Sequence, residues 1–414
     1  MDFKELISHS KILQSLVEQG LTIPTPIQAQ AIPKILQGAD VRASAQTGTG
    51  KTAAYLLPAL SRIADADASG NKNKLKGPKV LILVPTRELA MQVAKEASKF
   101  SKHLPQVSTV CIYGGAPYPT QNRDLSRPYE ILVATPGRLM DHMERGRISL
   151  ARLEMLILDE ADRMLDMGFV GPVEEIAAAT PASRQTLLFS ATFNKNVIRL
   201  SEKLLKNPIE ICIKADNVQA DNIEQRMHHV DDLQHKYKLL DHFLLDEGLV
   251  QTIVFTATKR QADQLTDCLL DKGHEAAALH GDMNQRQRER TIEKLRRGGY
   301  RILVATDVAA RGIDIKSISH VINFDMPNNA EDYVHRIGRT GRAGKSGVAL
   351  SLVSPKDRHL IREIEQFIGL KVNSVVIPGM EPKARGGREQ DSFPRRSPSG
   401  PFRRKSSAGN FRRR

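Results

Sequence analysis

Residues 45–52 read Ala-Gln-Thr-Gly-Thr-Gly-Lys-Thr, between a short extended segment and a helix-like run, Ala53–Leu60. Strand, glycine-rich turn and helix in that order make a phosphate-binding loop, here with Ala45 where a first glycine usually stands. Glycines let backbone N–H groups curl around a phosphate without Cβ clashes. Ala45, Gln46, Thr47, Gly48, Thr49 and Gly50 would form the cradle. Lys51 would reach the β- and γ-phosphates and Thr52 would ligate Mg²⁺, while the following helix points its positive end at the anion. One residue fits poorly. Arg42 stands where a strand entering the core is normally apolar, so either it snorkels outward or this edge is unusual.

Further along, Met155–Leu158 runs into Asp159-Glu160-Ala161-Asp162. An acid at the C-terminal end of a parallel strand can hold the loop's Mg²⁺, directly or through water, and Asp159 is so placed. Glu160 is suited to orient or deprotonate an attacking water. Acids that merely open a helix are the plainer explanation, but the phosphate loop upstream favours ATP hydrolysis.

Apolar runs without alternation recur at Val80–Val84, Ile131–Ala134, Met155–Leu158, Thr186–Phe189, Thr252–Phe255, Ala276–Leu279, Arg301–Ala305, His320–Asn323 and Val348–Leu352. Such runs suit strands buried on both faces. Helix-like segments lie between many of them, including Glu88–Phe100, Lys259–Lys272 and Gln285–Arg296. The alternation predicts an α/β fold of parallel sheets with helices on both sides. At 414 residues the chain exceeds one ordinary domain. The polar stretch 214–222 is read as a linker between domains at 1–213 and 223–377. Ile131–Thr135 and Ile302–Thr306 both read Ile-Leu-Val-Ala-Thr, a small echo of related halves.

The formal net charge is +14, which favours a polyanionic partner. Residues 379–414 hold 11 Lys or Arg against 3 Asp or Glu. That Arg-, Ser-, Gly- and Pro-rich stretch cannot bury enough apolar surface to fold alone, so a disordered basic tail is expected over 378–414. Phe393, Phe402 and Phe411 recur in it, each followed closely by arginines. Cys111, Cys212 and Cys268 lie far apart, which argues against a disulfide framework or structural zinc and suits a reducing compartment. The start carries acids and lacks the apolar core of a signal peptide. No apolar stretch approaches membrane-spanning length. The expectation is a cytoplasmic monomer with no membrane partner.

Asp-Glu-Ala-Asp after a Thr-Gly-Thr-Gly-Lys-Thr loop resembles the DEAD-box ATP-dependent RNA helicase family, and within it the bacterial RhlE- and SrmB-like members. The likeness covers residues 3–370. It implies two tandem RecA-like domains, ATP and Mg²⁺ as cofactors, and structured or single-stranded RNA as partner with weak sequence preference. Thr25-Pro26-Ile27-Gln28 resembles the adenine-reading segment, with Gln28 on the base edge and Phe3 as the stacking aromatic. Pro85-Thr86-Arg87-Glu88-Leu89, Gly114-Gly115 and Thr135-Pro136-Gly137-Arg138 are similar to the family's RNA-backbone motifs in the first domain. Helix capping is the plainer role for Thr86 and Thr135. In the second domain the resemblance places Thr258, Gln285, Arg288 and Thr306 on RNA, with Arg311 at the reaction site and Asp314 on the ribose. His335-Arg336-Ile337-Gly338-Arg339-Thr340-Gly341-Arg342 supplies Arg339 and Arg342 as arginine fingers, catalytic with Lys51, Asp159 and Glu160. Ser190, Thr192, Asp162 and His335 would couple ATP state to RNA separation.

The implied activity is RNA-stimulated ATP hydrolysis driving local duplex unwinding or remodelling of RNA–protein particles, in ribosome assembly or RNA decay. Ribosomal precursor particles or a decay complex would then be partners. Three alternatives remain open at this point: a DNA-directed translocase on the same fold, an RNA-dependent ATPase clamp or scaffold with little unwinding, and a purely structural RNA-binding protein.

Overall fold

The computed structural model describes residues 2–45, 48–68, 77–213, 222–246, 248–310, 315, 317–341 and 346–383. Gln46, Thr47, Arg311, Asp314 and Arg342 lie outside these residues. So do the linker before Asn222 and the tail from 384 onward, including its three phenylalanines.

Among the described residues, two sheets of seven strands each carry the fold. The first comprises β1 (Val41–Ser44), β2 (Val80–Leu83), β3 (Thr109–Ile112), β4 (Ile131–Ala134), β5 (Met155–Leu158), β6 (Gln185–Ser190) and β7 (Ile209–Cys212). Its order is β3-β4-β2-β5-β6-β1-β7. The second comprises β8 (Ile223–His229), β9 (Thr252–Phe255), β10 (Ala276–Leu279), β11 (Ile302–Ala305), β12 (His320–Asn323), β13 (Gly347–Val353) and β14 (Asn373–Ser374). Its order is β10-β11-β9-β12-β13-β8-β14. Every pairing is parallel. Adding seven to each strand number of the first order yields the second, so the halves share one topology. The repeated Ile-Leu-Val-Ala falls on β4 and β11, which are topological equivalents.

In the first sheet, Ile82, Val133 and Ile157 point into one apolar cluster, while Leu81, Leu132 and Leu156 point into another on the opposite face. That is the period-two alternation of a strand, with both faces covered by helices.

Arg42 resolves in a specific way. It lies on β1, flanked by β6 and β7, in register with Glu210. Its guanidinium donates to Glu210 and to the Ser201 hydroxyl at 2.9 Å, and rests over the Phe193 ring at 5.4 Å. A cation is tolerated because both terminal nitrogens are met, by Ser201 and Glu210, although Nε is buried without a partner among the described residues.

The expected start of the tail at 378 comes too early. Residues 373–383 stay attached to the second sheet. β14 pairs with β8, Ile377 and Met380 pack on the apolar cluster, and Lys383 N donates to Asp231 at 2.9 Å. Two apolar anchors suffice to hold a segment whose composition reads as polar.

Candidate functional site

Strand β1, between β6 and the edge strand β7, delivers the phosphate loop beside the end of β6, where Ala45 N donates to Ser190 O at 3.1 Å. Gly48 and Gly50 adopt φ of +87° and +91°, the left-handed region that glycine enters without a Cβ penalty. Gly50 is also tightly covered: a Cβ there would sit 2.3 Å from Gln28 Nε2. Gly50→Ala is therefore expected to cost about 1–3 kcal/mol of stability and to weaken nucleotide binding. Chemical denaturation and titration with ADP check both.

Gln28 spends both ends of its amide inside the protein. Oε1 accepts from Thr25 N at 3.0 Å, closing a capping box on the helix Pro26–Leu36, and Nε2 donates to Gly50 O at 3.1 Å. One amide hydrogen and one lone pair remain for a base edge. Phe3 departs from its assigned role. It is 2% exposed within the first domain's core, so its ring offers no open face for stacking. An aromatic so placed is worth more as core than as a platform.

Lys51 opens the helix Lys51–Ala68 and is 6% exposed; its Nζ finds no hydrogen-bond partner among the described residues. Across from it, β5 ends at Asp159. Tyr55 bridges the two sides: its hydroxyl donates to Asp159 Oδ2 at 2.9 Å and also bonds the Thr52 side chain. Tyr55 escaped the sequence reading, although its spacing from Lys51 and Thr52 (i+4 and i+3) puts all three on one helical face. Glu160 holds φ 51°, ψ 52°, a left-handed conformation rare outside glycine, with its N–H on Asp159 Oδ1 at 2.9 Å. Strain of this kind persists where the surroundings over-determine it, commonly at functional sites.

Burial pushes both carboxyls up, Asp159 and Glu160 alike, and nearby Lys51 pulls both back down. Their folded values exceed the unfolded ones, so the native state binds more protons in the window above the ordinary values of 3.8 and 4.5. Stability from these groups is then present in acid and lost as pH rises through the folded values. Glu160→Gln is expected to raise the melting temperature of the nucleotide-free protein at pH 7, with the gain fading in acid. A lower melting temperature at pH 7 would contradict this.

Asp162 turns the other way. Its Oδ2 accepts from Ala191 N (3.1 Å), Thr192 N (3.2 Å) and the Thr192 hydroxyl (3.4 Å), and its own N–H reaches Ser190 Oγ at 3.4 Å. Ser190 and Thr192 are thus both hydrogen-bonded to Asp162, the first through its backbone and the second through its carboxylate.

The second domain closes over these groups. Arg339 is 7% exposed, its Nε donates to His335 O at 3.2 Å, and its charge lowers the pKa of Glu160 in the first domain. Arg336, by contrast, serves the second domain's own frame, with paired bonds to Asp307 at 2.6 and 2.8 Å and a bond to Asn323 at 3.1 Å.

A cleft of about 520 Å³ runs between the domains, lined by Pro85, Thr86, Arg87, Glu88, Gly114, Thr135, Gly137 and Arg138 from the first, and Gly281, Arg288 and Val308 from the second. Nine residues of the expected RNA motifs meet there. Gly115, Thr258 and Thr306 are among those that sit apart from its lining: Gly115 lies against the Arg87 guanidinium, Thr258 caps the helix Lys259–Asp271, and the Thr306 carbonyl accepts from Ala309 and Ala310 N–H groups. Thr86 does cap its helix through Leu89 N at 3.3 Å, whereas the Thr135 side chain makes no cap bond. Arg138 is committed to Ala116 O (2.9 Å) and Gln121 Oε1 (3.1 Å) and stacks on Tyr118, so it braces the loop after Gly115. Arg288 is committed as well. Its Nε and Nη2 both donate to Glu88 Oε1, at 2.9 and 2.5 Å, with both side chains 8% exposed. In this structure Arg288 fastens one domain to the other instead of presenting a vacant fork to RNA.

Residues 25–200 match the DEAD/DEAH box helicase family and residues 235–344 the helicase conserved C-terminal domain. Among similar curated proteins, the ATP-dependent RNA helicase DeaD of Mycobacterium tuberculosis is 45% identical over 92% of this chain, which spans 65% of that relative's length. The ATP-dependent RNA helicase SrmB of Escherichia coli is 43% identical over 94% of this chain and 87% of its own. Among solved structures, Dbp5 of S. cerevisiae bound to RNA and ADP BeF3 aligns with a TM-score of 0.81 at 31% identity, over 90% of this chain and 95% of that one.

Proposed function

This chain belongs to the DEAD-box family of ATP-dependent RNA helicases, and from that premise we propose that it hydrolyses ATP in response to RNA and uses the cycle to separate short duplexes. The observation that carries the proposal is the placement of Lys51, Asp159 and Glu160 on one side of the domain boundary and Arg339 on the other, near enough for its charge to be felt by Glu160; we read this as a nucleotide pocket split between the domains.

Lys51, buried and without a partner among the described residues, would bind the β- and γ-phosphates. Thr52 and Asp159, joined through the Tyr55 hydroxyl, fit a Mg²⁺ site of the kind that uses one or two protein ligands plus phosphate oxygens. The ion would neutralise charge on the transferring phosphoryl group. Glu160 would accept a proton from the attacking water, and Arg339 would stabilise the transition state. Ala45, Gly48, Thr49 and Gly50 would complete the cradle, with Gln46, Thr47, Arg311, Asp314 and Arg342 as further participants by resemblance.

RNA would lie in the cleft along Arg87, Thr135 and Gly137, held by backbone and sugar contacts that carry little sequence information. Sugar 2′-hydroxyl contacts would favour RNA over DNA. Both ligands bridge the domains, so each favours closure and hence the other. Loss of the γ-phosphate would reopen the cleft. The test compares ATP turnover with RNA and with DNA of matched sequence, alongside displacement of a short labelled strand. RNA-selective stimulation with ATP-dependent displacement supports the proposal; stimulation without displacement favours the clamp.

No helix among the described residues is long and apolar enough to cross a membrane. Roles in ribosome assembly or RNA decay, a cytoplasmic location and a monomeric state are proposals that rest on family resemblance. Crosslinking the protein to cellular RNA and sequencing the bound fragments tests the first.

A further inference from the structure

The helix Ala330–Ile337 leads directly into Arg339, and its first turn carries two acids, Glu331 and Asp332. Both reach the first domain. Arg163 Nη1 donates to Asp332 Oδ1, with side-chain exposures of only 5% and 10%. Glu331 bonds the Thr192 hydroxyl, which also reaches Asp162 at 3.4 Å. Arg163 stands on the short helix Ala161–Asp166, which starts immediately after Glu160. Asp332 is held in turn by Asn329, whose Oδ1 accepts the Asp332 N–H at 2.7 Å and whose Nδ2 donates to Asp332 Oδ2 at 3.2 Å.

We infer that Arg163 and Asp332 are positioning residues that register the Arg339 segment against Glu160 when the domains close. The helix after the acids and the helix before the arginine are joined by one charge pair. Neither member belongs to the residues expected to touch ATP or RNA, and their partners lie 169 residues apart in the chain. A buried ion pair gives little net stability, because desolvation offsets the attraction. Removing one member is costly, because the other is left buried and uncompensated. Such a pair is a poor glue and a good register mark: a misaligned closure would take Arg163 from Asp332 and leave Arg163 with the more exposed Asp166, at 3.6 Å. The inference rests on the proposed split-site reading.

Charge exchange in the full-length protein tests it. R163D and D332R singly are expected to lower RNA-stimulated kcat by roughly tenfold or more and to raise the RNA concentration needed for half-stimulation. Binding of a fluorescent ADP analogue should be unchanged, since the phosphate loop is untouched. The double variant R163D/D332R restores the pair in reverse and is expected to recover most of the loss. Recovery shows that the pair itself matters, and unchanged ADP-analogue binding in the singles separates positioning from a merely structural role. Should either charge reversal prevent ADP-analogue binding, the neutral cycle R163Q, D332N and R163Q/D332N replaces it, and the double is then expected to be no worse than the singles. Singles with wild-type kcat and half-stimulation overturn the inference. So does an exchanged double as impaired as the worse single, or additive losses in the neutral cycle. Absence of RNA-stimulated turnover in the unmutated protein would instead overturn the functional reading itself.

Discussion

Replacing Arg339 with alanine is expected to lower RNA-stimulated ATP turnover by about 10³–10⁵. The residue is 7% exposed, is oriented by the His335 carbonyl, and acts electrostatically on Glu160 across the domain boundary. A fixed cation at the phosphoryl group is most effective where water is excluded and the donor needs no reorganisation during reaction. Lys51, the glycine loop and Gln28 all belong to the first domain, so ATP affinity without RNA should stay as it was. The loss should appear in kcat with KM unaltered, the pattern of an interaction made only in the transition state. Arg339→Lys should recover part of it, since lysine keeps the charge but loses the planar fork. A defect confined to KM would assign Arg339 to ground-state binding.

Replacing Lys51 with alanine is expected to cost about 10²–10³ in turnover and to weaken ATP binding as well. Its Nζ is buried with no hydrogen-bond partner among the described residues, yet it draws down the pKa of both Asp159 and Glu160. Without it, burial acts on the two carboxyls unopposed by that cation, and both should rise further. The residual activity should therefore lose its acid limb at a higher pH than the wild type does. Turnover measured across pH for both proteins checks the direction. A limb that moves toward acid would contradict the electrostatic account.

The strands buried on both faces were legible because their runs are dominated by Val, Ile, Leu, Met and Ala, with Thr252, Phe255, His320 and Asn323 only at the ends of β9 and β12. β2, β4, β5, β9, β11 and β12 fall within a residue of the apolar runs. The edge strand β10 coincides with the run Ala276–Leu279, but four strands at or near the other sheet edges were not legible. β3 and β7 have partly exposed positions in alternation, β8 carries Glu224, Arg226 and His228, and β14 has two exposed residues. Strands of that kind are defined by a neighbour far along the chain, and no local pattern announces them. β1 sits inside the sheet but carries Arg42, which needed Glu210 and Ser201 to become intelligible.

The site divides along the same line. Lys51, Asp159, Glu160 and Asp162 could be named because chemistry fixes residue type and spacing over a few positions. Resemblance alone assigns Arg288 to RNA, and only the fold shows Glu88 within 2.5 Å of it. Phe3 is likewise assigned by resemblance, and only the fold shows it 2% exposed within the core. The Arg163–Asp332 pair left no trace in the sequence, since each member alone is an ordinary charged residue on a helix.

The account stands on a pocket and a cleft that are both completed by the meeting of two domains. Its most direct test is the mutual effect of the two ligands at equilibrium, using a non-hydrolysable ATP analogue. The Kd of the analogue is measured with and without saturating RNA, and the Kd of RNA with and without saturating analogue. Each ligand is predicted to tighten the other by the same factor, about 5–150-fold. Two ligands that bind with affinities indifferent to one another would contradict it.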